Sequence, residues 1–223
     1  MFVGHYGVSF AAQSALPRLP LWLWFIAAQW LDVVWSVLVL MGIEKLRIVP
    51  GYTQANALDL YYMPYTHGLP GAIVLSLAFG AIVALSAARH RNAATVLALA
   101  AASFSHWLLD LAVHTHDLPL YADSAKVGFG LWQNVALSFP LELGTLALGA
   151  WLYARKTVFA SAKRQQTFWG LVAFLAMAQV YANFGPPPTS PRAMVISALA
   201  AYVGLAWAAA WIERSAAVPR AAS

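Results

Sequence analysis

The sequence has no cysteine and few charged side chains, which make up only 9% of its 223 residues. Without cysteine there can be no disulfides or thiolate metal sites, so a transition metal would need histidine or carboxylate ligands. The scarcity of charge excludes a water-soluble domain of this size, because such a domain needs more polar surface. The sequence also predicts no repeat, second domain or cleaved signal peptide. We expect one integral membrane domain over residues 1–223.

Long apolar runs take the place of the missing polar surface, and 61% of the residues are hydrophobic. A helix needs about 20 apolar residues to cross the hydrocarbon of a bilayer. Six segments meet this requirement: 21–41, 65–88, 94–113, 131–154, 168–184 and 193–212. The expected fold is therefore all-α, a polytopic bundle of about six transmembrane helices. Residues 2–14 are too short to span and predict an interfacial or re-entrant helix.

The charged residues of the connections predict the orientation of the bundle. Arg89, Arg91 and Arg155 follow the second and fourth spans, whereas Asp117 and Asp123 lie between the third and fourth. By the positive-inside rule, both termini are cytoplasmic and the connections after the first and third spans face outward. This predicts a multi-pass membrane protein, whose outward connections are periplasmic if the source is Gram-negative. The formal charge of +5 lies in short loops, so no nucleic-acid partner is predicted.

Four of the predicted spans carry a strongly polar residue at a common depth. Counting about 1.5 Å per residue places Asp32, His106, Glu142 and Gln179 about 17–18 Å from the inner face. Asp110 lies about one turn further out. A charged side chain at this depth costs about 2.5–3.5 kcal/mol, so such groups must face one another, a cavity or an ion. A group this rich in acid indicates protonated carboxylates or a bound cation.

The stretch "SHWLLDLAVHTH", residues 105–116, places three of its polar groups on one helix face. His106, Asp110 and His114 have i, i+4 and i+8 spacing, which predicts a stripe facing the bundle interior. The stretch "LDLYYMPYTHGLPG", residues 58–71, carries His67 into the second span from the outer side. Depth counting therefore divides the groups, with His106 and Asp110 deep in the bundle and His67 and His114 at its outer mouth.

The remaining histidines are weaker candidates. His5 opens a short apolar stretch near the N-terminus, and it reaches the other groups only if residues 2–14 fold back into the bundle. A helix of that length extends about 18 Å, which is just sufficient. His90 lies among arginines in a cytoplasmic connection, and His116 lies in a solvated loop. Neither is expected to belong to a site.

These motifs resemble a bacterial inner-membrane family described as membrane-bound metal-dependent hydrolases. The resemblance covers residues 1–116 and consists of an N-terminal histidine, an aspartate that the family has after the first apolar segment and that Asp32 matches loosely, "YTHGLP" and "SHWLLD". The residues that carry it are His5, Asp32, His67, His106 and Asp110. A glycine stands where the family usually has serine after T-H, and the family's acidic Asp-x-Asp-His stretch is missing. The resemblance implies metal binding more strongly than it implies catalysis.

The leading hypothesis is a membrane-embedded metal-dependent hydrolase that acts on a lipid or lipid-linked substrate. Histidine and carboxylate ligands suit a divalent ion, zinc by preference, in the outer half of the bundle. The expected metal ligands are His67, His106 and Asp110, with His5, Asp32 or His114 completing the set. Glu142 or Asp32 would then act as general base.

Three alternatives remain open at the level of sequence. Intramembrane Asp, His and Glu chains are typical of proton- or cation-coupled transporters and channels, and Asp32, His106 and Glu142 would line such a path. The polar groups would instead join helices by hydrogen bonds in a purely structural protein. His67 and His114 share a depth and would hold haem if they bound it from two sides.

Overall fold

The structure, a computed structural model, describes residues 1–86 and 91–214. Within these residues the chain forms seven α-helices: α1 Val3–Ala15, α2 Leu21–Leu40, α3 Leu69–Ser86, α4 Ala93–Val113, α5 Val135–Lys156, α6 Ala162–Phe184 and α7 Pro191–Arg214. In the described part, six of them, α2 to α7, are long and apolar enough to cross a membrane. The predicted all-α polytopic bundle is therefore confirmed. The predicted topology charges Arg89 and His90 lie outside the described residues.

The helices start at positions that differ from the apolar runs where local hydrogen bonding decides the boundary. α3 begins at Leu69 rather than at residue 65, because the preceding residues form a turn. α6 begins at Ala162, six residues before the apolar run, because the Ser161 side chain accepts a hydrogen bond from the Arg164 amide at 3.3 Å. An N-cap of this kind extends a helix beyond its apolar segment.

Helix α1 folds back into the bundle, where it packs against α2, α4, α5 and α6. Two glycines allow its close approach to α5. A Cβ atom on Gly7 would lie 2.2 Å from the carbonyl oxygen of Thr145, and one on Gly149 would lie 1.9 Å from that of Gly7. Small residues permit such backbone contact between membrane helices. The predicted re-entrant helix is thus present, and it places His5 in the interior.

Two β-hairpins, which the sequence did not predict, cover one end of the bundle. Antiparallel strands β1 Lys45–Ile48 and β2 Leu58–Tyr62 connect α2 to α3, and β3 Leu118–Tyr121 and β4 Ser124–Val127 connect α4 to α5. The Lys126 ammonium donates to the Tyr61 carbonyl at 2.8 Å and joins the two hairpins. We call this end the hairpin end and the opposite end the loop end.

Apolar clusters lie on both sides of the bundle's polar interior. At the loop end, Phe10 and Phe25 pack with Phe168 in the largest cluster of buried apolar side chains. At the hairpin end, Trp35 and Trp132 belong to a second cluster that also includes residues of β1, β2 and β3. The polar residues singled out above lie between these two clusters.

Candidate metal centre

Four polar side chains converge between α2, α4 and the turn before α3. His67 Nε2 lies 3.5 Å from Asp32 Oδ1 and 3.6 Å from Asp110 Oδ2. His106 Nε2 lies 3.5 Å and 3.1 Å from the same two oxygens. We call these four atoms and their residues the central set.

Four separations within the central set are close to those between ligands of a single metal ion. Zinc ligands lie about 2.0–2.2 Å from the ion, so two ligand atoms in tetrahedral geometry are about 3.3–3.5 Å apart. The four separations of 3.1–3.6 Å between histidine nitrogens and carboxylate oxygens are close to this value. Asp32, His67 and His106 also meet the general distance criterion for a metal-binding group. Two histidines and two aspartates are a donor set that zinc accepts.

His5 and His114 flank the central set on opposite oxygens of Asp110. His5 Nε2 lies 3.3 Å from Asp110 Oδ1, and His114 Nε2 lies 3.6 Å from Asp110 Oδ2. The rings of His5 and His106 stack with centroids 3.8 Å apart and planes 8° apart. The amino nitrogen of Met1 also contacts Asp110 Oδ1. All the predicted metal ligands therefore lie in one cluster.

The division of these groups into a deep pair and an outer pair is wrong. His67 and His114 both have Nε2 3.6 Å from Asp110 Oδ2, so the outer pair contacts the deep carboxylate directly. Depth counting measures backbone positions, whereas an imidazole extends several ångströms from its Cα. Because His67 lies on a turn rather than in a helix, its backbone also departs from helical spacing.

Hydrogen bonds to the outer ring nitrogens orient two of the histidines. His106 Nδ1 lies 2.7 Å from the carbonyl oxygen of Ala28, which can only accept. His114 Nδ1 lies 2.9 Å from the Asp117 carboxylate. Nδ1 must donate in both cases, so in the neutral imidazole Nε2 carries the lone pair that faces the centre. Histidines that bind metals usually have this second partner.

His67 is oriented by a relay that ends at a buried carboxylate. The Thr66 hydroxyl donates to Glu44 Oε2 at 2.6 Å, and its oxygen lies 2.9 Å from His67 Nδ1. Because the hydroxyl proton is used by Glu44, the oxygen accepts from His67 Nδ1–H. Glu44 Oε1 also accepts from the amides of Tyr65 and Thr66, which holds the turn. The Nε2 lone pair of His67 therefore faces the centre too.

The lone pairs of histidine nitrogens and of carboxylate oxygens therefore face one another in the buried interior. Within the described residues, His106 Nε2 and both ring nitrogens of His5 make no hydrogen bond, although Asp110 oxygens lie 3.1 and 3.3 Å away. Nitrogen lone pairs and carboxylate oxygens repel at these distances unless a cation or added protons lie between them. The geometry provides what a divalent cation requires.

The two residues expected to act as general base have different surroundings. Asp32 has one oxygen in the central set, and the other accepts a hydrogen bond from the Tyr202 hydroxyl at 2.8 Å. Glu142 accepts from the amides of Phe2 and Gly4 at 2.8–3.0 Å and so caps the first turn of α1. Asp32 thus has the position of a ligand, and a catalytic role for either residue stays a prediction.

A cavity of about 650 Å³ extends from the central set towards α6 and α7. Polar groups at its base include Asp32, His67, Asp110, His114 and Glu142. The residue 50–58 loop and the three prolines that join α6 to α7 lie at its other end. A substrate in this cavity would contact the carboxylates and histidines directly.

Three residues that orient the cluster were not predicted as part of a site. Glu44 and Asp117 are buried and bind Thr66 and His114, and Tyr202 binds Asp32. The sequence places both carboxylates in the connections that face outward, with Glu44 as a candidate for the outer mouth. His116 is exposed, as expected for a loop histidine.

Comparison of the chain with protein-family models, with curated proteins and with solved structures gives no match. The chemistry of the site therefore rests on its own residues and geometry.

Proposed function

We propose that this protein is a membrane-embedded metal-dependent hydrolase whose central set holds one divalent ion, most suitably zinc. The observation that carries the proposal is that two imidazole Nε2 atoms each lie 3.1–3.6 Å from the same two carboxylate oxygens. Hydrogen bonds on the outer nitrogens direct the lone pairs of His67 and His106 inward. The sequence resemblance to membrane-bound metal-dependent hydrolases supports the same chemistry.

Each nearby residue has a role in this proposal. Asp32, His67, His106 and Asp110 would be the protein ligands, and His114 and His5 lie beside Asp110 outside this set. When bound, the ion would act as a Lewis acid and activate water at neutral pH. Asp32 or Glu142 would take up the proton, and both line the cavity.

A hydrolytic site inside a bilayer suggests a lipid or lipid-linked substrate. The cleaved group would be an ester, an amide or a phosphoester that reaches the base of the cavity. The proposal places the chain in a bacterial inner membrane, with the hairpin end outward and both termini on the cytoplasmic side. The support for this orientation is the excess of basic residues in the connections at the loop end.

The packing at the loop end does not favour a transporter. A carrier needs polar residues that continue to the opposite face. Between the central set and that face lie Phe10, Phe25, Phe168 and other buried apolar side chains. Haem is not favoured either, because Asp110 Oδ2 lies 3.6 Å from the Nε2 atoms of both His67 and His114. The dead-end cavity is the geometry that a hydrolase requires.

Metal analysis of the detergent-purified full chain tests the proposal. We expect about one zinc or similar divalent ion per wild-type chain purified without chelators, and none in His106→Ala. His116→Ala is the matched control, because His116 lies two residues beyond His114 but is exposed. His106→Gln, which keeps a polar side chain of similar size, separates metal loss from misfolding. A wild-type chain without metal, or variants that all retain it, would overturn the proposal.

A further inference from the structure

We propose that the substrate is an uncharged lipid that carries an ester or amide and that its acyl chain lies between α6 and α7. This inference rests on the proposed hydrolase function, and it narrows the substrate class by excluding anionic phosphoesters. It comes from the charge of the cavity wall, from the place where the cavity reaches the bundle surface and from the small side chains along that opening.

The charge of the cavity wall is acidic. Asp32, Asp110 and Glu142 line the cavity, as does Met1, whose amino group contacts Asp110, and the lining residues in the described part of the chain include no lysine or arginine. One divalent ion and the Met1 ammonium balance the three carboxylates, so the wall does not become positive when the site is loaded. Phosphate groups are usually bound by Arg, Lys or free backbone amides. Here the amides of the first turn of α1 are already bound by Glu142.

The cavity reaches the side of the bundle between α6 and α7. On α6, Gln179 is buried while Tyr181 and Ala182 are exposed, and all three line the cavity. On α7, the cavity is lined by buried Tyr202 and by exposed Ser197. The same cavity therefore touches the core and the apolar outer surface of two membrane-spanning helices.

Small side chains keep this opening wide enough for an acyl chain. Ala178 and Ala182 line it from α6, and Ser197, Ala198 and Ala201 line it from α7. The opening lies about two turns from the hairpin end of α7, within the apolar part of the span. A lipid could thus keep its chain in the bilayer while its carbonyl group lies at the central set.

The opposite part of the cavity suits an uncharged polar headgroup. The lining there includes Gln54 and Asn56 from the residue 50–58 loop and Asn183 from α6. Asn183 is held by Gln179 and Ala55, and the oxygens of Gln54 and Asn56 accept from backbone amides. The amide nitrogens of Gln54 and Asn56 are therefore the groups that would donate to a hydroxyl or carbonyl without requiring charge. The cavity thus has an apolar slot, a metal-binding base and a neutral polar rim.

Lipid binding to the metal-loaded, full-length chain tests this inference. The probes are a diacylglycerol and a phosphatidic acid with identical acyl chains, each competing with a fluorescent monoacylglycerol in detergent micelles. We expect the uncharged lipid to bind about tenfold or more tightly than the anionic one, because the described lining offers phosphate no lysine or arginine and Glu142 already binds the first-turn amides of α1. Equal or tighter binding of phosphatidic acid, or binding of neither lipid, would overturn the inference.

A variant in the slot separates this inference from the proposed function. Ala198→Trp fills the slot, and we expect it to abolish binding of the uncharged lipid while the bound metal remains. The matched control is Val203→Trp, because Val203 lies on the same helix but is 65% exposed and is not among the lining residues. If Ala198→Trp binds the lipid as wild type does, the proposed acyl-chain slot between α6 and α7 is contradicted, whereas the proposed metal site is not. If the wild type contains no metal, the proposed function itself fails.

Discussion

The two ends of the bundle bury side chains of different chemistry. At the loop end, buried aromatic and aliphatic side chains fill the space between helices, and Glu213 accepts the Leu21 amide and the Gln13 side chain at 2.8 and 3.0 Å. Towards the hairpin end, histidines and carboxylates face each other at 3.1–3.6 Å without satisfying one another. Buried polar groups normally have partners. The difference indicates that the first region serves stability, and it supports the proposal that the second binds a cation.

The largest expected effect comes from the one carboxylate that every histidine of the cluster contacts. Asp110→Asn removes the negative charge beside His5, His67, His106 and His114. We expect metal affinity to fall by more than about 100-fold, beyond the about 10–100-fold typical of residues outside the ligand shell. Isothermal titration with zinc measures it. Asp123→Asn, at a partly exposed hairpin ion pair, should bind metal as wild type does.

A substitution at the loop end should lower the stability of the fold without lowering metal affinity. Phe168 is fully buried against Phe10, so Phe168→Ala should lower the free energy of unfolding by about 3 kcal/mol through the cavity it leaves. Zinc affinity should not change. Unfolding in mixed micelles measures the stability, with Phe174→Ala as control because Phe174 is 61% exposed. A large loss of metal in Phe168→Ala would contradict the separation of the two regions.

A change in the hydrogen-bond relay from Glu44 through Thr66 to His67 should lower zinc affinity by less than Asp110→Asn does, because it alters only which His67 nitrogen carries the proton. In Glu44→Gln, the amide group would donate to the Thr66 oxygen, so the Thr66 hydroxyl would have to donate to His67 Nδ1. That reversal puts the His67 proton on Nε2 and blocks its lone pair. We expect about tenfold weaker zinc binding. Glu213→Gln is the matched control, since Glu213 also accepts a backbone amide but lies at the loop end.

The smallest expected effect concerns the hydroxyl that binds Asp32. Tyr202→Phe removes a hydrogen bond of 2.8 Å to the oxygen that lies outside the central set. Because Asp32 keeps its other oxygen in place, we expect zinc affinity to fall by only about threefold to tenfold. Competition with a zinc-binding dye measures the change. An effect as large as that of Asp110→Asn would mean that Tyr202 contacts the ion or its substrate.

The sequence predicted the spans and the cluster because both depend on strong, local rules. Apolar length identifies membrane helices, and the i, i+4, i+8 spacing of His106, Asp110 and His114 places them on one face. The cost of burying charge then requires that Asp32 and the other polar groups meet. Helix α1 folds back and carries His5 to Asp110. The sequence predicts this because the segment is too short to span the membrane and because His5 reaches the other polar groups only in this way.

The hairpins and the orienting residues depend on contacts that no local rule reveals. Ala122 has a φ of 48°, a conformation that usually requires glycine or asparagine, so the β3–β4 turn lacks the usual sequence signal. Glu44 and Asp117 lie in connections and become buried only when the hairpins fold over the bundle. The glycine after His67 also has a structural reason, because a Cβ on Gly68 would lie 2.2 Å from the Pro64 carbonyl oxygen.

The most direct test of the central claim is X-ray absorption at the zinc edge of the purified, zinc-loaded chain. We expect four to five nitrogen and oxygen ligands at about 2.0–2.2 Å, the four protein ligands and a bound water. We also expect imidazole scattering that falls by about half in His67→Ala, because two of the four ligands of the central set are histidines. A shell without imidazole scattering, or one that His67→Ala leaves unchanged, would contradict the claim that His67, His106, Asp32 and Asp110 hold the ion.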